Sequence, residues 1–194
     1  MNGIEILKTI YPWPPNKPDL PFNGTGWFAD CNKECLSLLV SPRTKVIIEL
    51  GSWLGLSTRW MLDNAPNAVV IAVDHWKGSP ENAGDPIIPV LYETFISNCW
   101  KYKDRLIPMR TNTADGLARL QALEIKPDVV FLDAAHDYES AMNDIRGCIP
   151  FRCPIVGDDF NPISWPGVTQ AVWKTAVEEG VKIVVWKSAW MFRG

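Results

Sequence analysis

The stretch VIIELGSWLGLSTRWML, residues 46–62, constrains this chain more than any other. Val46, Ile47 and Ile48 form a β-branched run flanked by polar residues, the pattern of a strand buried on both faces. Glu49 closes that strand, and Gly51 and Gly55 bracket a turn of small residues. Leu56, Trp60 and Met61 then recur at helical spacing. Strand, glycine turn and helix in succession form a crevice at the carboxyl ends of an open α/β sheet, where backbone N–H groups can approach a nucleotide-like ligand. The spacing here is G-x-x-x-G-x-S. It is neither the dinucleotide pattern G-x-G-x-x-G nor a phosphate loop closing in Gly-Lys-Ser/Thr. An acid two residues before the first glycine would repel a pyrophosphate but suits a cation.

Alternating elements follow. The run AVVIAVD (68–74) reads as a second strand ending in Asp74, with His75, Trp76 and Lys77 next and a proline-punctuated loop through Pro89. A helix is expected over 90–103, a strand over 106–109, and a helix opened by Thr113 or Asp115 as N-cap. Further strands are expected at 128–133 and 154–157, and helices near 138–147 and 166–179. VKIVV and AWMFR close the pattern as an antiparallel edge hairpin. These elements predict one α/β domain with a mostly parallel sheet and helices on both faces. Residues 27–40 read as an amphipathic helix covering one face. Ahead of it, YPWPPNKPDLP holds five prolines in eleven positions, so residues 1–26 are set apart as a proline-rich arm and 27–194 as the domain. The arm is either a leader strapped to the surface or a lid or oligomer contact using Tyr11, Trp13 and Trp27.

Composition narrows the class of protein. A chain of 194 residues with 47% hydrophobic and 21% charged residues is that of an ordinary globular domain. A formal net charge of −3 shows none of the basic excess of a general nucleic-acid binder. No apolar run approaches the roughly 20 residues of a membrane span, and no signal peptide is expected. Five cysteines without C-x-x-C spacing fit neither a zinc site nor a disulfide framework, so reduced thiols in the cytoplasm are expected. Cys31 and Cys35 share a helix face as small apolar groups. Among the ten tryptophans, Trp53, Trp76, Trp165 and Trp190 are candidates to line an aromatic pocket.

Acids finish the later strands. PDVVFLDAAHDYE ends its strand in Asp133, with His136 three residues on, and CPIVGDDF ends in Asp158 and Asp159. Neighbouring strands deliver their carboxyl ends to one place, so three carboxylates should converge there. Such a cluster is costly unless one member is protonated or a cation is bound. All-oxygen ligands point to a hard divalent ion, Mg²⁺ first.

These residues resemble the class I S-adenosylmethionine (SAM) methyltransferases. E-L-G-x-x-x-G-x-S, D-V-V-F-L-D-x-x-H and G-D-D resemble the metal-dependent O-methyltransferases, a branch with catechol-type and macrolide-sugar-type members. The resemblance, over roughly residues 44–192, implies a Rossmann-like fold with a seven-stranded sheet. It implies that Glu49, Gly51, Ser52, Gly55 and Ser57 hold the methionine moiety and that Asp74 takes the ribose. His75 and Trp76 lie beside it, Trp76 stacking near the adenine or walling the pocket. Thr113, Ala114 and Asp115 grip the adenine, and Asp133, Asp158 and Asp159 bind Mg²⁺. Where catechol-type enzymes place a lysine base, this chain has His136, as the sugar-modifying enzymes do. With an unperturbed pKa of about 6.5, His136 suits proton removal from a metal-bound hydroxyl. The expected acceptor is a small molecule, most simply a sugar or glycosylated natural product. A phenol-type acceptor and a non-catalytic SAM-binding role stay open, as does a homo-oligomer. An amino-methyltransferase of nucleic acids would carry Asn/Asp-Pro-Pro-aromatic where this chain has D-A-A-H.

Overall fold

The computed structural model describes residues 2–193. Seven strands form one sheet: β1 (Val46–Leu50), β2 (Val69–Asp74), β3 (Leu106–Arg110), β4 (Val129–Leu132), β5 (Ile155–Gly157), β6 (Lys182–Trp186) and β7 (Ala189–Arg193). Their order is β3-β2-β1-β4-β5-β7-β6. β1 to β5 pair in parallel, while β7 runs antiparallel to both β5 and β6. The expected hairpin is therefore present, with its second strand inserted between β5 and its first. β1 has β2 on one side and β4 on the other, so the chain reverses its direction of winding beside β1. In open α/β sheets the ligand crevice lies at that point.

Seven α-helices cover the sheet: α1 (Gly3–Ile10), α2 (Asp30–Ser37), α3 (Leu56–Asn64), α4 (Leu91–Cys99), α5 (Thr113–Ala122), α6 (Tyr138–Cys148) and α7 (Pro166–Glu179). The β-branched runs make sense in this setting. Ile47, Val70, Val129 and Phe131 pack with residues of α2, α3 and α4, whereas Ile48, Ile71, Val130 and Leu132 pack with α5, α6 and α7. Successive strand residues point to opposite faces, and both faces are covered, so both must be apolar. Four of the five cysteines are buried, and all five are unpaired thiols.

The arm is more than a loose leader. It opens with α1, whose Leu7 is fully buried in the core on the α5–α7 face. The proline stretch that follows has neither helix nor strand. Its Trp13 donates an indole N–H to the Leu106 carbonyl at 2.8 Å and meets Trp100 edge-on. Asn112, not Thr113 or Asp115, caps α5: its side-chain oxygen accepts the Asp115 N–H at 2.8 Å. Asn112 stands at the extended position just before the first helical residue, from which its side-chain oxygen reaches the free N–H three residues on.

Candidate active site

One cavity of about 730 Å³ opens at the carboxyl ends of β1, β2, β4 and β5, within the range of small-molecule sites. It is bordered by Gly51, Ser52, Trp53 and Ser57 after β1, and by Asp74 and His75 after β2. Asn112 and Thr113 border it after β3, Asp133 to Asp137 after β4, and Asp158, Asp159 and Trp165 after β5. Among the described residues, seven acidic side chains line it and no lysine or arginine does.

The glycine turn is held from behind. Gly51 has φ +81°, and a Cβ there would lie 1.9 Å from the Asp133 carbonyl oxygen. The turn after β1 thus presses directly on the turn after β4, and only glycine permits that approach. Asp74 braces the same turn. Its carboxylate accepts the backbone N–H groups of Ser52 at 2.9 Å, Trp53 at 3.0 Å and Trp76 at 2.6 Å. Trp53, Trp76 and Asp159 all have positive φ, which places three non-glycine residues in a disfavoured conformation in or beside the cavity wall.

Five residues expected to contact the cofactor, Glu49, Gly55, Trp76, Ala114 and Asp115, lie outside the cavity lining. Glu49 is fully buried and lies outside the cavity lining. It accepts hydrogen bonds from the hydroxyls of Ser52, Ser57 and Thr58. Burial nevertheless raises its pKa to about 7 against those three bonds. It anchors the turn and the start of α3 rather than touching a cation in the cavity. Trp76 is likewise buried: it packs on Tyr92 and Phe95, and its indole N–H donates to the Trp53 carbonyl at 2.9 Å. Trp190 is also a core residue, whereas Trp53 and Trp165 do face the cavity. At the α5 turn only Thr113 of the expected trio lines the cavity, joined by Asn112; Ala114 and Asp115 do not. Gly55 sits beneath the turn, close to Cys99 and Phe95.

Asp133, Asp158 and Asp159 share the cavity wall as expected. Burial first, then the charges of Asp158 and Asp159, lift the Asp133 carboxyl well above the usual carboxylate range. Asp158 is turned toward protein donors: Asn32 Nδ2 at 2.5 Å, Ser188 Oγ at 2.7 Å and the Asp159 N–H at 2.8 Å. Among the described residues, no three His, Cys, Asp or Glu side chains are gathered as a metal-ligand set. The donor chemistry suits a hard cation, and the repulsion felt by Asp133 is what such an ion relieves. The side chains as placed do not yet form its cage.

His136 stands among several partners. Its Nε2 lies 3.1 Å from Asp159 Oδ2 and its Nδ1 3.7 Å from Glu81 Oε1. The ring stacks on Trp165 with centroids 3.8 Å apart. The hydrogen bond to Asp159 raises its pKa, with burial opposing. The loop carrying it is pressed by α7, where a Cβ on Gly167 would lie 2.7 Å from the His136 carbonyl oxygen. Glu81 was not legible beforehand, since its loop carries no periodicity. Asn32 was hidden inside a helix that reads simply as amphipathic. Trp27 meets Trp53 at a tilt of 52°, ring centroids 5.6 Å apart, and of Tyr11, Trp13 and Trp27 it is the one that lines the cavity.

Residues 48–160 match a family model described as a methyltransferase domain. No curated protein matches the sequence. Among solved structures, CalS11, a TDP-rhamnose 3'-O-methyltransferase of calicheamicin biosynthesis, aligns with TM-score 0.60 at 16% identity over 84% of this chain and 78% of its own. The O-methyltransferase from Bacillus cereus in complex with SAH aligns with TM-score 0.62 at 16% identity, covering 98% and 87%. MycE, a methyltransferase of the mycinamycin pathway in complex with Mg and SAH, aligns with TM-score 0.61 at 13% identity. It covers 98% of this chain, which spans about half (54%) of the MycE chain. At these identities the likeness establishes a shared fold, the Rossmann-like methyltransferase fold expected from the sequence.

Proposed function

The chain belongs to the family defined by that methyltransferase domain, and from this premise we propose that it transfers a methyl group from SAM to a hydroxyl of a small molecule. One observation carries the reading: the cavity at the switch point is lined by seven acids and no lysine or arginine. That lining favours a donor bearing a sulfonium and an ammonium over a pyrophosphate-bearing dinucleotide. SAM supplies a methyl group on a positively charged sulfur; the protein must orient the acceptor oxygen and remove its proton.

His136 is suited to that removal. Asp159 accepts from Nε2, which selects the tautomer with its proton there and leaves Nδ1 as the acceptor of the hydroxyl proton. Trp165 holds the ring plane by stacking. Glu81, beside Nδ1, favours the imidazolium formed once the proton has moved. Holding donor and acceptor in one crevice supplies much of the rate through orientation.

A divalent cation, Mg²⁺ foremost, belongs to the same reading, with Asp133, Asp158 and Asp159 as its holders; it would acidify the acceptor hydroxyl. Support comes from the all-oxygen donor set and from the Mg present in the MycE complex. The acceptor proposed is a sugar or glycosylated small molecule. Trp27, Trp53 and Trp165 offer aromatic faces to a sugar ring, and CalS11 is a TDP-rhamnose 3'-O-methyltransferase. Among the described residues no helix is long and apolar enough to cross a membrane.

The test is product detection with SAM across a panel of sugar and phenol acceptors, before and after EDTA. Methylated sugar that disappears on chelation and returns with Mg²⁺ is expected. Full turnover in EDTA removes the metal from the reading, and no product with any hydroxyl acceptor removes the transfer itself.

A further inference from the structure

The two edges of the sheet are finished differently. At β3 the arm lies alongside, with Trp13 bonded to the Leu106 carbonyl. At the other edge, β6 pairs only with β7 among the described residues. Its surroundings are apolar. Val185 and Trp186 are exposed on the strand, and α7 exposes Trp173, at 57%, and Val177, at 77%, one helical turn apart. Trp173 lies 6.4 Å from Phe160, ring to ring, and Phe160 donates its N–H to the Ser188 carbonyl in the β6–β7 turn at 2.8 Å. That flank of α7 therefore leans toward the hairpin. An apolar edge strand with nothing beside it is a template for another strand.

The hairpin register says which backbone groups of β6 are free. Trp186 and Ala189 flank a two-residue turn, so they form the hydrogen-bonded pair that closes the hairpin. Lys182, Val184 and Trp186 thus direct their N–H and C=O groups toward β7. Ile183 and Val185 direct theirs outward.

We propose that β6 pairs antiparallel with β6 of a second copy of this chain, about a two-fold axis through Val184, joining the two sheets into one. In that register Ile183 exchanges both of its backbone hydrogen bonds with the partner subunit's Val185, and Lys182 faces the partner subunit's Trp186. The strand complements itself on both faces. Ile183 and Val185 pair with Phe192 and Trp190, which belong to the core on the α5–α7 face, so on that side two β-branched side chains meet. Lys182, Val184 and Trp186 share the opposite face, where an ammonium meets an indole once on each side of the axis. These are the closer, non-hydrogen-bonded pairs. Lysine on an edge ordinarily discourages pairing; opposite an indole it becomes a contact. Moving the axis one residue toward either end loses that contact and shortens the ladder. The two-fold axis leaves both α7 helices on one face of the joined sheet, with Trp173 and Val177 bordering the groove over the seam.

The experiment is sedimentation velocity of the full chain from submicromolar to high micromolar concentration, with wild type, Trp186→Lys and the double variant Lys182→Glu with Trp186→Lys. Wild type is expected to sediment as a dimer that dissociates on dilution. Trp186→Lys sets ammonium against ammonium and should weaken association by at least about tenfold. Its melting should match that of wild-type monomer, because both side chains are at the surface. The double variant, in which a carboxylate faces an ammonium, should regain the association. Wild type that stays monomeric at every concentration overturns the proposal and leaves the edge to a different polypeptide. A dimer that Trp186→Lys does not weaken overturns it by placing the interface elsewhere. A double variant that associates no better than Trp186→Lys overturns the register, and the proposal with it.

Discussion

The two sides of the cavity rim use carboxylates in opposite ways. After β1 and β2, Glu49 and Asp74 are surrounded by internal donors: three hydroxyls on the first, three backbone N–H groups on the second. After β4 and β5, Asp133 faces two more acids and His136 is drawn between Asp159 and Glu81. The first set shapes a turn; in the second only Asp158 is held by three protein donors, while Asp133 is pressed by its neighbours' charge and Asp159 faces His136. An acid at a strand end therefore says little about function until its donors are counted.

The largest effect that would test this contrast is His136→Ala. It should lower kcat by about 10²–10⁴, the usual span for a general base. Calorimetric affinity for S-adenosylhomocysteine should stay within about twofold. A variant that keeps wild-type turnover would place His136 with the shaping residues.

Glu49→Gln probes the other side. The folded-state pKa of Glu49, about 7, lies above its ordinary 4.5. The group's contribution is therefore fully present below pH 4.5 and is lost as pH rises through about 7, by roughly 3 kcal/mol in all. Denaturation midpoints measured from pH 4 to 8 should fall more steeply for wild type than for Glu49→Gln. Parallel curves would mean that the carboxyl is not buried as the structure places it.

The smallest effect belongs to Thr58→Val, which keeps shape and removes one of those hydroxyls. A loss of about 1 kcal/mol in stability, with donor affinity unchanged, fits a bracing role. Weakened affinity at unchanged stability would return Glu49 to the ligand.

Much of the fold was legible because it follows from periodicity. Val46–Ile48, the strand runs ending in Asp74 and Asp133, and the helix beginning at Pro166 all announce themselves by apolar spacing and breakers. His136 and the acids after β4 and β5 were legible for a related reason: strand ends fix where side chains emerge. What spacing does not carry is which way a side chain turns. Trp76 and Trp53 are both aromatic residues beside the cavity, yet Trp76, with φ +48°, swings into the core and gives its indole N–H to the Trp53 carbonyl. Glu81 and Asn32 reach the site from elements distant in sequence, through contacts that exist only after folding.

The arm has a consequence at the far end of the sheet. β3 is an outermost strand, and such a strand presents a row of free N–H and C=O groups on which a neighbouring molecule can build. Trp13 occupies one of those carbonyls, and the proline stretch around it contributes few N–H groups of its own to continue the ladder. A segment without regular structure thus covers the edge at Leu106, where a further strand would otherwise find a free carbonyl.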